Sequence, residues 1–172
     1  KNTKWIKITK KNKIKPNNNN ILKSNSSKTF NFIRLNIFPD GGVARLRLFG
    51  NIDLSLQTIS NNNIIDLASV INGSQVIACS DEHFGNANNI LLPGKSKNMG
   101  NGWETRRRRG RGYDWIILKL GLSGYPISFE INTHYFKGNY PDFFTVQAIN
   151  HKKNISINSI IKNSKKWQTI IA

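Results

Sequence analysis

Residues 31–48 read NFIRLNIFPDGGVARLRL, and this stretch decides the fold class. Apolar residues alternate with polar ones over Asn31–Ile37 and again over Ala44–Leu48, the pattern of strands with one buried face. The intervening Pro39–Gly42 has the composition of a turn. The stretch therefore predicts two strands joined as a hairpin or by a tight connection.

The rest of the chain also favours strands over helices. The only helix-like segment is Asn63–Asn72, which Asn62 or Asn63 would cap and Gly73 would end. Glycine-rich segments such as Gly121–Gly124 separate several of the predicted strands. Short strands with such turns and little helix indicate an all-β sandwich or barrel. The further predicted strands are Ser74–Cys79, Trp115–Leu120, Ile127–Ile131 and Phe143–Ile149.

The formal net charge of +17 suggests a nucleic-acid partner, but its distribution weakens that interpretation. Residues 1–28 hold nine lysines and residues 150–172 hold five, with no acid in either segment. Residues 29–149 carry twelve basic and nine acidic side chains, so they are nearly balanced. The Lys- and Asn-rich ends, including Asn17–Asn20, have a composition typical of loops or disordered inserts.

Several classes of protein are disfavoured by composition. The 172 residues suffice for one modest core. No apolar run has the length of a membrane span, so we expect a soluble protein without a membrane partner. No secretory signal is visible, and the single cysteine, Cys79, fits a reducing compartment. We therefore expect an intracellular location, cytoplasmic or peroxisomal.

The segment Asn98–Gly110 is the first candidate site, a glycine-rich loop leading into a run of arginines. If the run is a strand, Arg107 and Arg109 lie on the face opposite Glu104. Their planar guanidinium groups bind carboxylates through two parallel hydrogen bonds. A solvated basic run or a nucleic-acid patch is the alternative.

Two further clusters carry chemistry-bearing side chains. Asp81–Gly85 combines two carboxylates with an imidazole, which could bind a metal or move protons, although the spacing matches no established metal signature. In Asn132–Asn139, His134 could act as an acid or base and Lys137 could neutralise an anion. For Asp81–Gly85 a polar loop after a strand is the commoner explanation, whereas for His134 a hydrogen-bonded residue near a strand end is an equal alternative.

These segments, in this order, resemble the allantoicase family over roughly residues 30–145. Arg34–Gly50 looks like the segment that closes each allantoicase repeat, and Asn98–Thr105 with the following arginines looks like the family's most recognisable motif. The sequence departs from the family pattern at Asn101 and Asn132, where an acid is usual. The other similar segments are Ser80-Asp81, Phe84-Gly85, Asn89, Leu92–Gly94, Asp114-Trp115, Leu118–Gly121 and Phe136–Asp142.

The resemblance implies jelly-roll β-sandwiches of the galactose-binding-domain-like type, two to a complete protein. Residues 1–57 resemble the C-terminal part of a first repeat, and residues 58–172 the N-terminal part of a second. The chain is then a partial or permuted copy of a two-repeat protein. If the first part replaces the missing end of the second, the strand at Arg34–Ile37 should pair in the same sheet system as Trp115–Leu120.

The resemblance also implies hydrolysis of allantoate to ureidoglycolate and urea, with allantoate as the small-molecule partner and no cofactor or metal. We expect Arg107 and Arg109 to hold the substrate carboxylate, with Lys137 and Asn98 as further contacts. The expected catalytic residues are Glu104, His134 and Asp81. A catalytically impaired ligand-binding sandwich and, less favoured, a nucleic-acid-binding protein are the alternatives, and a homo-oligomer is left open.

Overall fold

A computed structural model describes residues 5–24, 26–52, 64–150 and 156–164, and these confirm an all-β fold. All the strand pairs are antiparallel. The strands are β1 (Ile6–Lys7), β2 (Asn12–Lys13), β3 (Asn19–Lys23), β4 (Phe30–Phe38), β5 (Gly42–Val43), β6 (Arg45–Ile52), β7 (Ile65–Asp66), β8 (Gln75–Cys79), β9 (Trp103–Glu104), β10 (Asp114–Asn132) and β11 (Phe143–Ile149), and α1 spans Ile157–Ser164.

Strand β10 belongs to both layers of the sandwich. Its first half pairs with β4 and β8, and its second half pairs with β3 and β6. The predicted strands Trp115–Leu120 and Ile127–Ile131 are therefore parts of one strand, and the glycines between them bend it instead of ending it. A side chain at Gly121 would place its Cβ 1.9 Å from the carbonyl oxygen of Asn72, so this close approach of the two backbones requires glycine there.

The core lies between the two halves of β10. Leu35 and Ile116 from the first layer join Leu48 and Phe129 from the second in one buried cluster. A smaller cluster on the outer face of the first layer contains Trp5, Phe32, Ile117, Ile149 and Ile160 of α1. The alternating apolar residues of β4 and of β6 therefore belong to two layers that face each other.

The predicted hairpin is wrong, although the connection is tight. Strands β4 and β6 do not pair with each other, because each finds its partner in a different half of β10. The turn after Phe38 carries the chain from one layer to the other. The expected pairing of Arg34–Ile37 with Trp115–Leu120 is confirmed, with Leu35 opposite Ile116. The division into parts of two repeats stays a prediction.

The Lys- and Asn-rich beginning of the chain is more ordered than its composition predicts. Within Asn17–Asn20, the last two residues begin β3, which pairs with the end of β10. The Asn20 amide donates to the carbonyl oxygen of Ile131 at 3.1 Å and to that of Lys15 at 3.2 Å. These side-chain bonds compensate for the few apolar contacts of the segment.

The predicted helix over Asn63–Asn72 is also wrong. The chain forms β7 and then a single 3-10 turn, Val70–Asn72, which Ser69 caps. Gly73 does end this element, in a left-handed conformation with φ of 84°. The expected caps Asn62 and Asn63 lie outside the described residues. No helix in the part of the chain that the structure describes is long and apolar enough to cross a bilayer.

Candidate functional site

The arginine run is a loop, not the predicted strand. Strand β9 ends at Glu104. The N–H of Thr105 still donates to the carbonyl oxygen of Gly41 at 3.4 Å, but the N–H groups of Arg106 and Arg108 bond to side chains. The N–H of Arg106 donates to Oδ2 of Asp81 at 2.7 Å, and that of Arg108 donates to Oδ2 of Asp40 at 2.5 Å. Two carboxylates therefore hold the loop where a strand would have hydrogen-bonded.

The arginines of this loop alternate between paired and unpaired. Arg106 Nε lies 3.6 Å from Oδ1 of Asp81, and Arg108 Nη2 lies 2.5 Å from Oδ1 of the buried Asp114. Arg107 and Arg109 are exposed, and neither has a carboxylate within 4.0 Å among the described residues. The loop thus neutralises every second guanidinium group and leaves the others able to bind an anion.

The larger of two clefts beside the loop has a volume of about 490 Å³, and we call it the Glu104 cleft. Its wall combines Glu104 and Arg107 with the exposed ring of Phe84. Carboxylates, an amide and a guanidinium group give it both hydrogen-bond acceptors and donors. The other lining residues are Pro39, Asp40, Gly41, Thr105, Arg108, Gly138, Asn139, Tyr140 and Asp142.

The second cleft, the Asp81 cleft, has a volume of about 380 Å³ and lies on the other side of the loop. Arg107 lines both clefts, whereas Arg109 lines only this one. An anion held by the two unpaired arginines would therefore lie in or at the mouth of the Asp81 cleft. The remaining lining residues are Ser80, Asp81, Arg106, Arg108, Gly110 and Asp114.

Glu104 is positioned by the small sheet of β5 and β9, in which it pairs with Gly42. The side-chain amide of Asn139 donates to Oε1 of Glu104 at 2.5 Å. The backbone of Asn139 is fixed in turn, because its carbonyl oxygen accepts the N–H of Gly42 at 2.8 Å. The carboxylate therefore has a defined orientation at the wall of the Glu104 cleft.

Asp81 has mainly cationic and donor partners. Its carboxylate accepts the N–H of Arg106 and, at 3.3 Å, the N–H of His83. Its backbone oxygen accepts the indole N–H of Trp103 at 2.8 Å. Asp81 thus joins the start of the arginine loop to the end of β8, and its side chain also lines the Asp81 cleft.

Three of the predicted site residues are not among those that line either cleft. The imidazole of His134 packs edge-on against the ring of Tyr135, with 4.8 Å between the centroids. Lys137 is exposed and immediately precedes Gly138 of the Glu104 cleft. Asn98 is exposed and makes no capping bond to the 3-10 turn that it precedes. Their roles stay predictions.

Asn101 and Asn132, which stand where the family usually has an acid, are also not among the residues that line the two clefts. Oδ1 of Asn101 accepts the N–H of Lys97 at 3.1 Å. Oδ1 of Asn132 accepts the N–H of His134 at 2.8 Å, and its amide nitrogen donates to Asn19. Both side chains therefore support backbone segments around the site and do not face the clefts.

Sequence reasoning missed Asp40, Asp114 and Asn139, which hold the arginine loop and Glu104. The sequence pattern places Asp40 only in a turn and in the resembling segment Arg34–Gly50, and it places Asp114 and Asn139 only in segments with no assigned role. Their contacts span 68 residues for Asp40 and 35 for Asn139, so no local pattern reveals them. Among the described residues, no three His, Cys, Asp or Glu side chains come together as metal ligands.

Comparison with known proteins places the chain in a family. A sequence profile described as the allantoicase repeat matches residues 1–53 and 65–172. This chain belongs to the allantoicase family. The resemblance drawn from Asn98–Thr105, the following arginines and the neighbouring segments is thereby confirmed, as is the all-β sandwich that it implied.

Several bacterial members of the allantoicase family align with almost the whole chain. A protein of Acinetobacter baumannii named "Probable allantoicase" is 44% identical over 168 residues, which are 98% of this chain and 49% of the relative. "Probable allantoicase 1" of Burkholderia mallei is 38% identical over 169 residues, 98% of this chain and 50% of the relative. A "Probable allantoicase" of Photobacterium profundum is 44% identical over 146 residues, 85% of this chain and 44% of the relative.

The chain thus spans about half the length of the allantoicase relatives it matches. No solved structure shows a significant match to it.

Proposed function

We propose that this chain takes part in the hydrolysis of allantoate to ureidoglycolate and urea, and that the arginine loop binds the substrate. Membership of the allantoicase family and the names of the relatives support the reaction. The two clefts that meet at Arg107 support the location.

The observation that carries the proposal is the alternation of paired and unpaired arginines. Asp81 and Asp114 neutralise Arg106 and Arg108, so the charge left for a ligand is concentrated on Arg107 and Arg109. Allantoate has one carboxylate, which matches a guanidinium clamp. A solvated basic run would not need a buried Asp114 to hold one of its members.

Allantoate also carries two ureido groups, which are rich in N–H donors. The Glu104 cleft offers acceptors for them, above all the oriented carboxylate of Glu104 and the carboxylate of Asp40. With the substrate carboxylate on Arg107 and Arg109, a ureido group would extend along Arg107 into this cleft. Lys137 and Asn98 would contact the substrate from the segments that flank it.

Release of urea breaks the bond between the central carbon and a ureido nitrogen. A proton must reach the leaving nitrogen, and a water molecule must lose a proton as its oxygen bonds to the carbon. Glu104 and Asp81 flank Arg107 from the two clefts and are the proposed proton-transfer groups. His134 is a third candidate, which would have to turn away from the Tyr135 ring to take part.

We also propose that the single sandwich combines the end of one allantoicase repeat, residues 1–57, with the beginning of the next, residues 58–172. The pairing of β4 with the first half of β10 supports this division, because it joins the two parts in one sheet. The pairing of β6 with the second half of β10 does the same in the other layer.

A urea-release assay on the full 172-residue chain with allantoate tests the reaction. The proposal expects urea and ureidoglycolate in equal amounts. The half-length coverage favours one alternative, a ligand-binding sandwich without turnover. Binding of allantoate in a calorimeter without urea release would support that alternative and contradict the hydrolase proposal.

A further inference from the structure

Met99 is the one methionine of the 172 residues, and it is 42% exposed. It begins the 3-10 turn Met99–Asn101, which directly precedes Gly102 and the strand that carries Glu104. The turn is closed by the N–H of Gly102, which donates to the carbonyl oxygen of Met99 at 3.0 Å. An exposed thioether therefore stands at a defined place in the segment that leads to Glu104.

The side-chain amide of Asn139 connects this thioether to Glu104. Its nitrogen donates to Oε1 of Glu104 at 2.5 Å and to Sδ of Met99 at 3.4 Å. A primary amide nitrogen has two N–H groups, so these two bonds use both of them. Met99 and Glu104 thus share one donor group, and the position of the amide depends on both acceptors.

The thioether of Met99 is also the sulfur of the chain that is better placed to react with an oxidant. Oxidation turns a methionine side chain into a polar sulfoxide, which methionine sulfoxide reductases convert back. The other sulfur belongs to Cys79, whose thiol pKa is raised to about 11 by burial and by neighbouring acids. That thiol stays protonated near neutral pH, and the thiol is much less reactive than the thiolate.

A sulfoxide at Met99 cannot keep the present contact with Asn139. Sδ and Nδ2 are 3.4 Å apart, and a hydrogen bond to an oxygen alone takes about 2.7–3.2 Å, so an oxygen between them would displace the amide. An oxygen on the solvent side would draw electron density from the sulfur, which is already a weak acceptor. The amide that orients Glu104 therefore loses its second bond or moves.

We propose that Met99 is an oxidation site, and that its conversion to the sulfoxide by hydrogen peroxide displaces the Asn139 amide that orients Glu104. The sulfur lone pair attacks one peroxide oxygen, the S–O bond forms as the O–O bond breaks, and the other oxygen leaves as water. The sulfur loses two electrons and the peroxide gains them. The oxidation is independent of allantoate hydrolysis, whereas its effect on turnover rests on the proposed role of Glu104.

Peptide mass analysis and the NMR signals of the Asn139 side-chain amide test the site after peroxide treatment of the full chain. The variant Cys79→Ser removes the other sulfur, and Asn139→Ser identifies the amide signals by their absence. Met99 should gain one oxygen and the Asn139 signals should shift, and a methionine sulfoxide reductase should reverse both changes. Unshifted Asn139 signals after full oxidation, or shifts that spread over the whole spectrum as the fold is lost, would overturn the proposal.

Leu92, which is 40% exposed and lines neither cleft, provides the matched control. The variant Met99→Leu/Leu92→Met should be oxidised at position 92 without a shift of the Asn139 signals. Oxidation at this position but not at Met99 of the unaltered chain would contradict the proposed site.

Allantoate turnover gives the second readout of the oxidation. Oxidation of Met99 should lower kcat by roughly 10-fold, the effect of losing one hydrogen bond that positions a reacting group, and the matched control should keep its value. Unchanged turnover after full oxidation would overturn Met99 as a positioning residue. A chain that never releases urea would contradict the hydrolysis proposal instead, and the Asn139 signals would then decide the oxidation site.

Discussion

The side-chain amide of Asn139 donates a hydrogen bond to Oε1 of Glu104 across 2.5 Å. Because the backbone of Asn139 is itself bonded to Gly42, this contact fixes the carboxylate relative to the sheet of β5 and β9. The orientation of Glu104 therefore depends on a residue 35 positions away in the sequence.

Asn139→Asp should replace this bond by the repulsion of two adjacent carboxylates. We expect a loss of about 1–3 kcal/mol in the free energy of unfolding at pH 7, since a lost, partly buried bond and a like charge both act against the fold. Urea unfolding at pH 7 measures the loss. The exposed Asn150→Asp is the control, and an equal loss in that variant would argue against the contact.

The ion pair between Arg108 and Asp114 should contribute more to the free energy of unfolding than any contact of Arg109. Asp114 is 1% exposed, and without Arg108 its carboxylate would keep only the hydroxyl of Ser80 as a side-chain partner among the described residues. Arg108→Met should therefore lower the free energy of unfolding by about 2–3 kcal/mol. This loss does not exceed the lower end of the range for breaking a buried ion pair, because Arg108 is partly exposed.

Arg109→Met is the matched variant, and its stability should stay within about 0.5 kcal/mol of the unaltered chain. Chemical denaturation of both variants gives the comparison. Equal destabilisation of the two would show that the paired and unpaired arginines do not differ as their contacts indicate.

Gly102 is required by packing against Phe136 and not by its backbone conformation. A Cβ at this position would lie 2.7 Å from Cε2 of the Phe136 ring. Gly102→Ala should destabilise the fold by about 1–3 kcal/mol through overpacking. Gly110→Ala has nothing within 4 Å of its Cβ and should be nearly neutral. Similar thermal midpoints for the two variants would contradict this packing argument.

Cys79 should react slowly with thiol reagents in the folded chain. Burial, followed by the charges of Glu82, Asp81 and Asp114, raises the pKa of its thiol from an ordinary value of 9.0 to about 11. Less thiolate is then present at pH 8, so the folded chain should react about 100-fold more slowly than the unfolded chain.

The rate of disulfide exchange with an aromatic disulfide, followed from pH 7 to 11, measures this difference. The folded profile should still rise above pH 9. Because the pKa is higher in the folded state, any stability linked to the thiol is fully present below pH 9 and decreases as the pH rises through 11. A folded profile that levels off at pH 9 would show that the thiol is not buried as described.

The sequence predicted β4 and β11 as strands, although both are buried on both faces and not on one. The bounds of β11, Phe143–Ile149, agree with its pattern, and β4 exceeds its predicted range by one residue at each end. The bend of β10 was not predictable, since Gly121–Gly124 has the composition of a turn and only the distant carbonyl of Asn72 shows why glycine is needed.

The candidate site was predictable only where its residues are adjacent in sequence. Glu104 and Arg107, which are three positions apart in the sequence, line the same cleft. The carboxylates that hold the arginine loop, Asp40, Asp81 and Asp114, come from three different segments. Their effect arises from the sandwich, which brings the turn after β4, the end of β8 and the start of β10 together.

The most direct test of the account compares allantoate turnover by Arg107→Met and Arg111→Met in the full chain. Arg107 lines both clefts, whereas Arg111 is exposed and lines neither. Loss of a charge-assisted bond to the substrate should lower kcat/KM for Arg107→Met by roughly 10- to 150-fold, and Arg111→Met should keep the unaltered value. Equal kcat/KM values for the two variants would contradict the assignment of the arginine loop as the binding site.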